Sequence, residues 1–253
     1  MHIDTQGHPP IRGGARRYVP QLLKAAHEKA AQLLKEDVIE PSQSDWCSWP
    51  VLVKKPDGSY RFCVDYRPLN AVTKHLALPM QNLEDLLDCA HGAMHVSKID
   101  ISQAFYHIPL DEKSKEKTAL AVPGMAPGLF QFKRMPFGLK NSPAYFQMLT
   151  DKIVPPAWST NVRKYVDDFL IFTRTLEEHE WFVTNLIRVL QENNLTINPD
   201  KCEFLCEKLS FLGYLLTPEG LTADPDRTKP ITQYPVPKNV NVMCSNHHCE
   251  TRK

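Results

Sequence analysis

The amino-acid sequence predicts an α+β fold in which helices cover one face of a sheet. Short runs rich in β-branched and aromatic residues are interleaved with segments of helical periodicity, an order typical of this class. Apolar residues recur at helical spacing over residues 21–36 and 176–192, which predicts two amphipathic helices. Between these helices, residues 51–55 and 60–67 flank a Pro-Asp-Gly-Ser turn and predict a β-hairpin.

Composition and charge limit the classes of protein to which the chain can belong. Its 253 residues are 42% hydrophobic and 23% charged, as in ordinary globular proteins, and the net charge is only +1. Any nucleic-acid surface must therefore come from local clusters of Lys and Arg. No apolar run approaches the roughly 18 residues that span a membrane, and the polar start is no signal peptide. Seven irregularly placed cysteines favour free thiols in a reducing, intracellular compartment.

Two adjacent carboxylates interrupt the apolar and aromatic run Tyr165-Val166-Asp167-Asp168-Phe169-Leu170-Ile171-Phe172. Such a run is typical of two short strands with aspartate in the turn between them. Because side chains alternate along a strand, two neighbouring carboxylates share a site only where the chain bends. They repel each other unless a cation lies between them, and Mg²⁺ prefers such oxygen ligands. The pattern predicts a metal site; the alternative is a surface hairpin with Asp-Asp at its tip.

Three other segments carry weaker signals for phosphate or metal chemistry. Residues 96–101 predict a strand with Asp100 near its end, although an aspartate there is also typical of a helix cap. In the second hairpin strand, Arg61 shares a polar and largely cationic face that suits either phosphate contact or simple solvation. The turn Pro136-Phe137-Gly138 precedes a predicted helix over residues 142–154, and a glycine-bearing turn at a helix N-terminus can approach a phosphate or a base.

The remaining chain predicts short elements joined by stiff turns. Residues 1–20 lack periodicity and predict an extended, basic arm. A short helix is expected at residues 83–87 and the start of another at residues 102–107, while the charged run at residues 111–117 predicts a solvated loop or helix. Further strands are expected at residues 118–122, 129–133, 195–197, 203–205 and 209–215, with Gly220 in a turn.

Taken in order, these segments resemble the reverse transcriptase of Ty3/gypsy-type LTR retrotransposons and their retroviral relatives, from about residue 2 to residue 237. The resemblance rests on several separate motifs. Residues 53–67 resemble the fingers hairpin of that family, residues 97–105 palm motif A, residues 135–147 motif B, residues 165–168 motif C, residues 195–204 motif D and residues 211–214 the primer grip.

The resemblance implies a right-hand polymerase with fingers and a palm, in which a ferredoxin-like palm sheet carries helices on one face. It also implies where the parts of the chain belong. We expect an extended N-terminal arm at residues 1–20, fingers at 21–82, palm with motif A at 83–112, fingers again at 113–140, palm with motifs B to E at 141–235, and a divergent tail at 236–253.

The family's reaction implies roles for the three aspartates. In an RNA-directed DNA polymerase, the primer 3′-hydroxyl attacks the α-phosphate of a deoxynucleoside triphosphate (dNTP), with RNA or DNA as template and DNA or RNA as primer. Two Mg²⁺ ions, for which Mn²⁺ can substitute, stabilise the attacking and leaving oxygens. By resemblance, Asp100 and Asp167 would be bridging ligands. Asp168, which strand alternation should turn elsewhere, would have a supporting role among the metal ligands.

The same likeness assigns the nucleotide and primer contacts. Arg61 and Lys54 (or Lys55) would hold the triphosphate, and Phe105 would stack under the sugar and exclude a 2′-hydroxyl. Lys201 would protonate the leaving pyrophosphate, with a structural lysine as the alternative. Phe137, Gly138 and Leu139 would line the nucleotide and template face, and Tyr165, Phe211, Leu212, Gly213 and Tyr214 would contact the primer.

The chain departs from the family pattern at both ends. Upstream, nothing resembles the aspartic protease that usually precedes this enzyme. Downstream, the match stops near residue 240, where the family continues into thumb, connection and RNase H. Residues 241–253 lack an amphipathic period, and their Cys and His do not match zinc-finger spacings, so a frameshift or read-through tail is expected.

Competing functions remain open at the level of sequence. The first is an RNA-directed DNA polymerase domain with a complete palm. The second is a truncated, catalytically weak or inactive retroelement product that binds nucleic acid without copying it. A two-metal nuclease is disfavoured because it would need neither the fingers hairpin nor a sugar-selecting aromatic residue. The oligomeric state cannot be inferred from these patterns.

Overall fold

The computed structural model describes residues 1–14, 16–54, 58, 60–78, 92–217, 220–225 and 229. Four sequence-based expectations lie wholly or partly outside these residues: the Pro-Asp-Gly-Ser turn apart from Gly58, the short helix at residues 83–87, the position of Lys55 and the tail at 236–253. The described helices are α1 (Pro20–Lys35), α2 (Arg67–Val72), α3 (Glu112–Lys115), α4 (Ser142–Ile153) and α5 (Leu176–Glu192). The described strands are β1 (Ile39–Pro41), β2 (Pro50–Lys54), β3 (Tyr60–Val64), β4 (His95–Asp100), β5 (Leu120–Ala121), β6 (Leu129–Phe132), β7 (Val162–Tyr165), β8 (Asp168–Thr173), β9 (Glu203–Cys206), β10 (Leu209–Phe211), β11 (Tyr214–Thr217) and β12 (Gly220–Ala223).

A four-stranded antiparallel sheet in the order β7-β8-β4-β9 forms the centre of the molecule. Its two inner strands pair along their whole length, from His95 opposite Thr173 to Asp100 opposite Asp168. Strand β8 is buried from Phe169 to Thr173 and is almost entirely apolar there, whereas β4 also carries the polar residues Ser97, Lys98 and Asp100. This pairing fixes which side chains of β4 and β8 lie opposite each other at each end of the sheet.

The two faces of this sheet are covered by different elements. Helix α5 packs against β4 and β8. On that face lies part of the larger hydrophobic cluster, including Ile99, Phe169 and Ile171 together with Phe146 of α4 and Leu186 and Leu190 of α5. On the opposite face, Val96, Leu170 and Phe172 pack against Leu209, Phe211 and Leu216 of the three-stranded sheet β10-β11-β12. The predicted arrangement, with helices on one face of the sheet, is confirmed.

The N-terminal half adds a β-hairpin and a second small sheet. Strands β2 and β3 pair with each other, and β1, β6 and β5 form a sheet in that order. The N-terminal segment lacks regular structure but packs onto this half: Ile3 is 1% exposed, and its N–H donates to Ser114 Oγ at 2.7 Å. The arm is therefore anchored in the core. Among the described residues, none of the helices has the length and apolar character needed to cross a bilayer.

Several predicted boundaries are wrong in detail, each for a local reason. The second hairpin strand stops at Val64, and helix α2 begins at Arg67 because Pro68 lacks the N–H of a ladder residue and favours a first helical turn. The predicted strand at residues 209–215 is two strands joined by a turn at Leu212 and Gly213, both with positive φ. Gly220 begins β12 instead of lying in a turn. Residues 195–197 contribute only an isolated bridge from Ile197 to Ile101.

Candidate active site

The three aspartates singled out by sequence meet at one end of the central sheet. Asp100 is the last residue of β4 and Asp168 the first residue of β8, and they are direct cross-strand partners. Such partners have Cβ atoms roughly 4.5–5.5 Å apart. Asp167 lies in the turn that precedes β8, after Val166 with a φ of 53°. Its carbonyl accepts a hydrogen bond from the Ile101 N–H at 3.2 Å, which ties the turn to the end of β4.

The prediction that alternation turns Asp168 elsewhere is wrong. The bend between the two strands ends at Asp167, and Asp168 is already the first residue of β8. Alternation therefore starts at Asp168, which is paired with Asp100 and lies on the sheet face of Leu170. Asp168 therefore lies on the same face and at the same end of the sheet as Asp100.

Burial and mutual repulsion dominate the electrostatics of this cluster. The residue Asp100 is 7% exposed. Its Oδ2 accepts from Lys201 Nζ at 3.3 Å, but no group among the described residues donates a hydrogen bond to its buried Oδ1. Burial, and then the charges of Asp167 and Asp100, raise the pKa of Asp168 to about 6. Burial, with a contribution from Asp100, also raises the pKa of Asp167. The nearby lysines, Lys98 and Lys201, therefore do not fully offset the burial and mutual repulsion of the carboxylates.

An open cavity of about 410 Å³ adjoins Asp100 and Asp168. Besides these two aspartates, its lining includes the basic residues Lys98 and Lys201 and the acidic residues Asp200 and Glu203. Lys98 Nζ forms an ion pair with Glu203 Oε1 across the β4–β9 pairing. Sequence reasoning missed both partners of this pair. The available signal was that Lys98 lies two residues before Asp100 in the same strand, and therefore on the same face.

The donor set at the carboxylate cluster fits a hard divalent cation. Among the described residues, no three His, Cys, Asp or Glu side chains are arranged so that they could hold a metal ion as they stand. The three carboxylates nevertheless offer only oxygen donors, and the buried Asp100 Oδ1 has no partner in the described part of the chain. A Mg²⁺ ion would satisfy that atom and relieve the repulsion that raises the pKa of Asp168.

The predicted nucleotide-contacting aromatic residues form one cluster. The rings of Phe105 and Phe137 have centroids 4.9 Å apart, and Phe105 also meets Phe146 edge-on at 6.1 Å. Phe137 is exposed, whereas Leu139 is buried. The structure thus brings the two predicted aromatic contacts together at a partly exposed position and turns Leu139 into the core.

Gly138 approaches the backbone of the hairpin rather than open space. Its φ is +95°, and a Cβ placed there would come within 3.3 Å of the Val64 carbonyl oxygen. Its own carbonyl accepts from Asn70 Nδ2 at 2.8 Å. A glycine is required here by the left-handed conformation and by this contact between the turn and β3.

The predicted triphosphate contacts lie on the hairpin. Lys54 is the last residue of β2, and Arg61 lies opposite Val53 in β3; both basic side chains are exposed. Their sheet is separate from the central one. The structure therefore leaves these two side chains exposed to a ligand and does not place them in the carboxylate cluster.

Of the predicted primer contacts, Tyr165 lies beside Asp168, and the other four lie at the turn between β10 and β11. Tyr165 is the cross-strand partner of Asp168, and its ring meets Phe211 edge-on with centroids 6.0 Å apart. Leu212 is exposed in the turn, and Gly213 adopts a φ of 90°. Tyr214 pairs with Phe211 across that turn. The strand end that carries Asp168 is thus joined through Tyr165 to the small sheet.

Comparison with known proteins identifies the family. The family model described as reverse transcriptase (RNA-dependent DNA polymerase) matches residues 53–216. The chain is 36% identical over 212 residues to the retrovirus-related Pol polyprotein from transposon 297 of Drosophila melanogaster. This alignment covers 81% of the chain and 20% of that protein. The chain is 31% identical over 220 residues to the transposon Tf2-3 polyprotein of Schizosaccharomyces pombe, over 87% of the chain and 16% of that protein.

The chain therefore spans about a fifth of the length of these curated relatives. Among solved structures, it is similar to a foamy viral protease–reverse transcriptase in complex with RNA/DNA hybrid, with a TM-score of 0.80 and 23% identity over 96% of the chain and 32% of that protein. At this identity the likeness shows the fold, which confirms the predicted α+β polymerase architecture. The resemblance to retrotransposon relatives is also confirmed, and the chain belongs to the reverse transcriptase (RNA-dependent DNA polymerase) family of nucleotidyltransferases.

Proposed function

We propose that the chain carries the nucleotidyl-transfer centre of a retroelement's RNA-directed DNA polymerase. The observation that carries this proposal is the register of β4 and β8, which sets Asp100 directly opposite Asp168. The buried Asp100 Oδ1 has no hydrogen-bond donor among the described residues. Buried polar atoms are normally paired, so an unpaired carboxylate oxygen in a cluster of like charges supports a binding role.

The metal ligands of this centre are Asp100 and Asp167, with Asp168 as a third carboxylate. The expected cations are two Mg²⁺ ions, or Mn²⁺ in their place; when bound, they stabilise the charge on the attacking and leaving oxygens. Carboxylates must be ionised to bind a cation. Because the pKa of Asp168 is raised to about 6, binding should strengthen as the pH rises through that value.

The reaction joins the primer 3′-oxygen to the α-phosphorus of a dNTP and breaks the bond from that phosphorus to the pyrophosphate oxygen. The 3′-hydroxyl loses its proton to water. Lys201 lines the cavity, with its Nζ 3.3 Å from Asp100 Oδ2. In this proposal it supplies a proton to the leaving pyrophosphate. Arg61 and Lys54, exposed on the hairpin, bind the triphosphate oxygens.

Aromatic residues orient the sugar and the primer. Phe105, held between Phe137 and Phe146, packs under the sugar and leaves no space for a 2′-hydroxyl. Tyr165, next to Asp168 and against Phe211, contacts the primer end. The similar foamy viral enzyme was solved with an RNA/DNA hybrid, which supports a nucleic-acid duplex as the partner.

Primer extension tests this function. Poly(rA)–oligo(dT) with dTTP and Mg²⁺ is incubated with the chain, and an Asp100→Asn variant serves as the control. Extension by the chain but not by the variant is the expected result. A folded chain that binds the primer–template and extends it no better than the variant contradicts the proposal. That outcome would favour the alternative, a retroelement product that binds nucleic acid without copying it.

A further inference from the structure

A lysine lies on the same face of the central sheet as Asp100 and Asp168. Lys98 is two residues before Asp100 in β4 and is the cross-strand partner of Leu170, two residues after Asp168 in β8. Positions two residues apart share a face, so Lys98 lies one step along the sheet from the Asp100–Asp168 pair. All three side chains line the same open cavity.

Glu203 of β9 holds this lysine on the side away from β8. It is the partner of Lys98 in the β4–β9 ladder, and the two side chains form an ion pair. The lysine side chain is 18% exposed and the glutamate side chain 44% exposed. Neighbouring positions on this face are apolar and buried, among them Val96, Leu170 and Phe172. Glu203 is partly exposed to solvent, but the mostly buried Lys98 ammonium would lose much of its hydration here without a carboxylate partner.

A lysine released at this position has an alternative partner. Its flexible stem carries a compact ammonium group that pairs with any nearby carboxylate. Lys98 and Asp168 are diagonal neighbours across the β4–β8 pairing and line the same cavity, a separation of roughly 7–8 Å that a long side chain can span. An ammonium group drawn to these carboxylates would occupy the position of a cation and compete with it.

We propose that Glu203 is a positioning residue that holds the Lys98 ammonium away from Asp100 and Asp168 and so keeps the carboxylate cluster open to a divalent cation. This inference rests on the proposed metal-binding function. It assigns the pair a role that neither residue could fill alone. Lys201, by contrast, is exposed and contacts Asp100 directly, so it is not held in this way.

Mn²⁺ binding by the whole chain, measured by electron paramagnetic resonance, tests the proposal without depending on polymerase activity. Four proteins are compared: wild type, Glu203→Gln, Lys98→Met and the Lys98→Met/Glu203→Gln double variant. Glu203→Gln frees the lysine and should weaken Mn²⁺ binding about tenfold. In the Lys98→Met background no ammonium is left to release, so the same change should have less than about a twofold effect.

A matched ion pair on the other side of the sheet provides the control. Lys164 of β7 pairs with Asp151 of α4 at 2.5 Å, with side-chain exposures of 15% and 45%. Asp151→Asn therefore also removes one carboxylate charge and frees one lysine of similar burial. It should leave Mn²⁺ affinity within about twofold of the wild type, since that lysine does not line the cavity.

The outcomes separate this inference from the function on which it rests. A Glu203→Gln effect that requires the native Lys98 supports the proposal. An equal effect with and without the lysine means that Glu203 acts through its own charge, and no effect means that it does not restrain Lys98; either result overturns the proposal while metal binding stands. Absence of Mn²⁺ binding by folded wild type refutes the proposed metal site and this inference together. Far-UV circular dichroism and urea unfolding confirm that each variant is folded.

Discussion

Strands β4 and β8 carry two polar clusters that differ in how their atoms are paired. The first, the histidine cluster, comprises Ser97, Thr173 and His179. Ser97 Oγ lies 2.6 Å from His179 Nε2, and Thr173 Oγ1 lies 2.9 Å from His179 Nδ1. The Leu205 N–H also donates to Ser97 Oγ at 3.0 Å. The second is the carboxylate cluster, in which like charges meet and one buried oxygen is unpaired among the described residues.

The contrast separates a structural polar cluster from a binding one. In the histidine cluster, each ring nitrogen of His179 has a hydroxyl partner, so its burial carries little net penalty. The hydroxyls come from β4 and β8 and the ring from α5, so the cluster fastens the helix to the sheet. The carboxylate cluster lacks such internal compensation. A bound cation would supply that compensation, which is why we place the proposed function there.

The two clusters also respond to pH in opposite directions. Burial, with a smaller effect of His95, lowers the pKa of His179, so its contribution to stability is present above its unfolded value of 6.5 and is lost as the pH falls. The pKa of Asp168 is instead raised from 3.8 to about 6. Its contribution to stability is present below 3.8 and is lost as the pH rises through about 6.

The largest expected effect is on catalysis. Asp100→Asn should reduce nucleotide incorporation by about a thousandfold or more, since it removes a proposed metal ligand. The free energy of unfolding should be unchanged or higher, because like-charge repulsion is relieved. Single-turnover incorporation and urea unfolding measure the two quantities. Near-normal incorporation by the variant would place Asp100 among structural residues and remove the contrast between the clusters.

The second effect is on stability. His179→Ala should lower the free energy of unfolding by about 2–3 kcal/mol, because it removes a buried ring and leaves the hydroxyls of Ser97 and Thr173 short of a partner. Incorporation per folded molecule should be retained. Urea unfolding at about pH 7.5 and active-site titration check both statements. A folded His179→Ala protein with wild-type stability but lost incorporation would reverse the proposed assignment.

A third prediction asks to which class the aromatic cluster around Phe105 belongs. If Phe105 selects the sugar, Phe105→Val should lower the preference for deoxynucleotides over ribonucleotides by about tenfold or more, because the 2′-hydroxyl gains space. Incorporation of dTTP and UTP on the same template measures the ratio. The control is Tyr106→Phe, at a residue whose ring meets Phe137 edge-on, and it should leave the dTTP-to-UTP ratio unchanged. An unaltered ratio in Phe105→Val would make the residue a packing residue, like the histidine cluster.

The smallest effect concerns the stability cost of the carboxylates. In buffer without divalent cations at about pH 7.5, Asp168→Asn should raise the free energy of unfolding by about 1 kcal/mol, after allowance for solvent screening of a partly exposed group. The gain should shrink as the pH falls from about 6 and vanish below about 3.8, where the wild-type carboxyl is protonated in both states. Urea titrations across this range measure it. A gain that is constant with pH would show that the carboxylate charge is not its cause.

Local patterns predicted most elements of the fold. The helix over residues 176–192 begins and ends where its periodicity indicated, and the adjacent aspartates lie at a bend between two strands as expected. Errors arose where one residue changed the course of the chain, as Pro68 does at the start of α2, or where an apolar run concealed a turn, as at Gly213. Hydrophobic periodicity records which face is buried and carries little information on where a strand stops.

The identities of the three aspartates, their oxygen-donor chemistry and the family all follow from the order of residues along the chain, because each depends on residue type and short spacing. The placement of Asp168 opposite Asp100 and the restraint of Lys98 by Glu203, 105 residues away, do not. These depend on the register of strands that are distant in sequence and that pair only when the core on both faces of the sheet is packed. A shift of one residue in that register would turn the side chains to the opposite face, so tertiary packing sets the charge balance of the site.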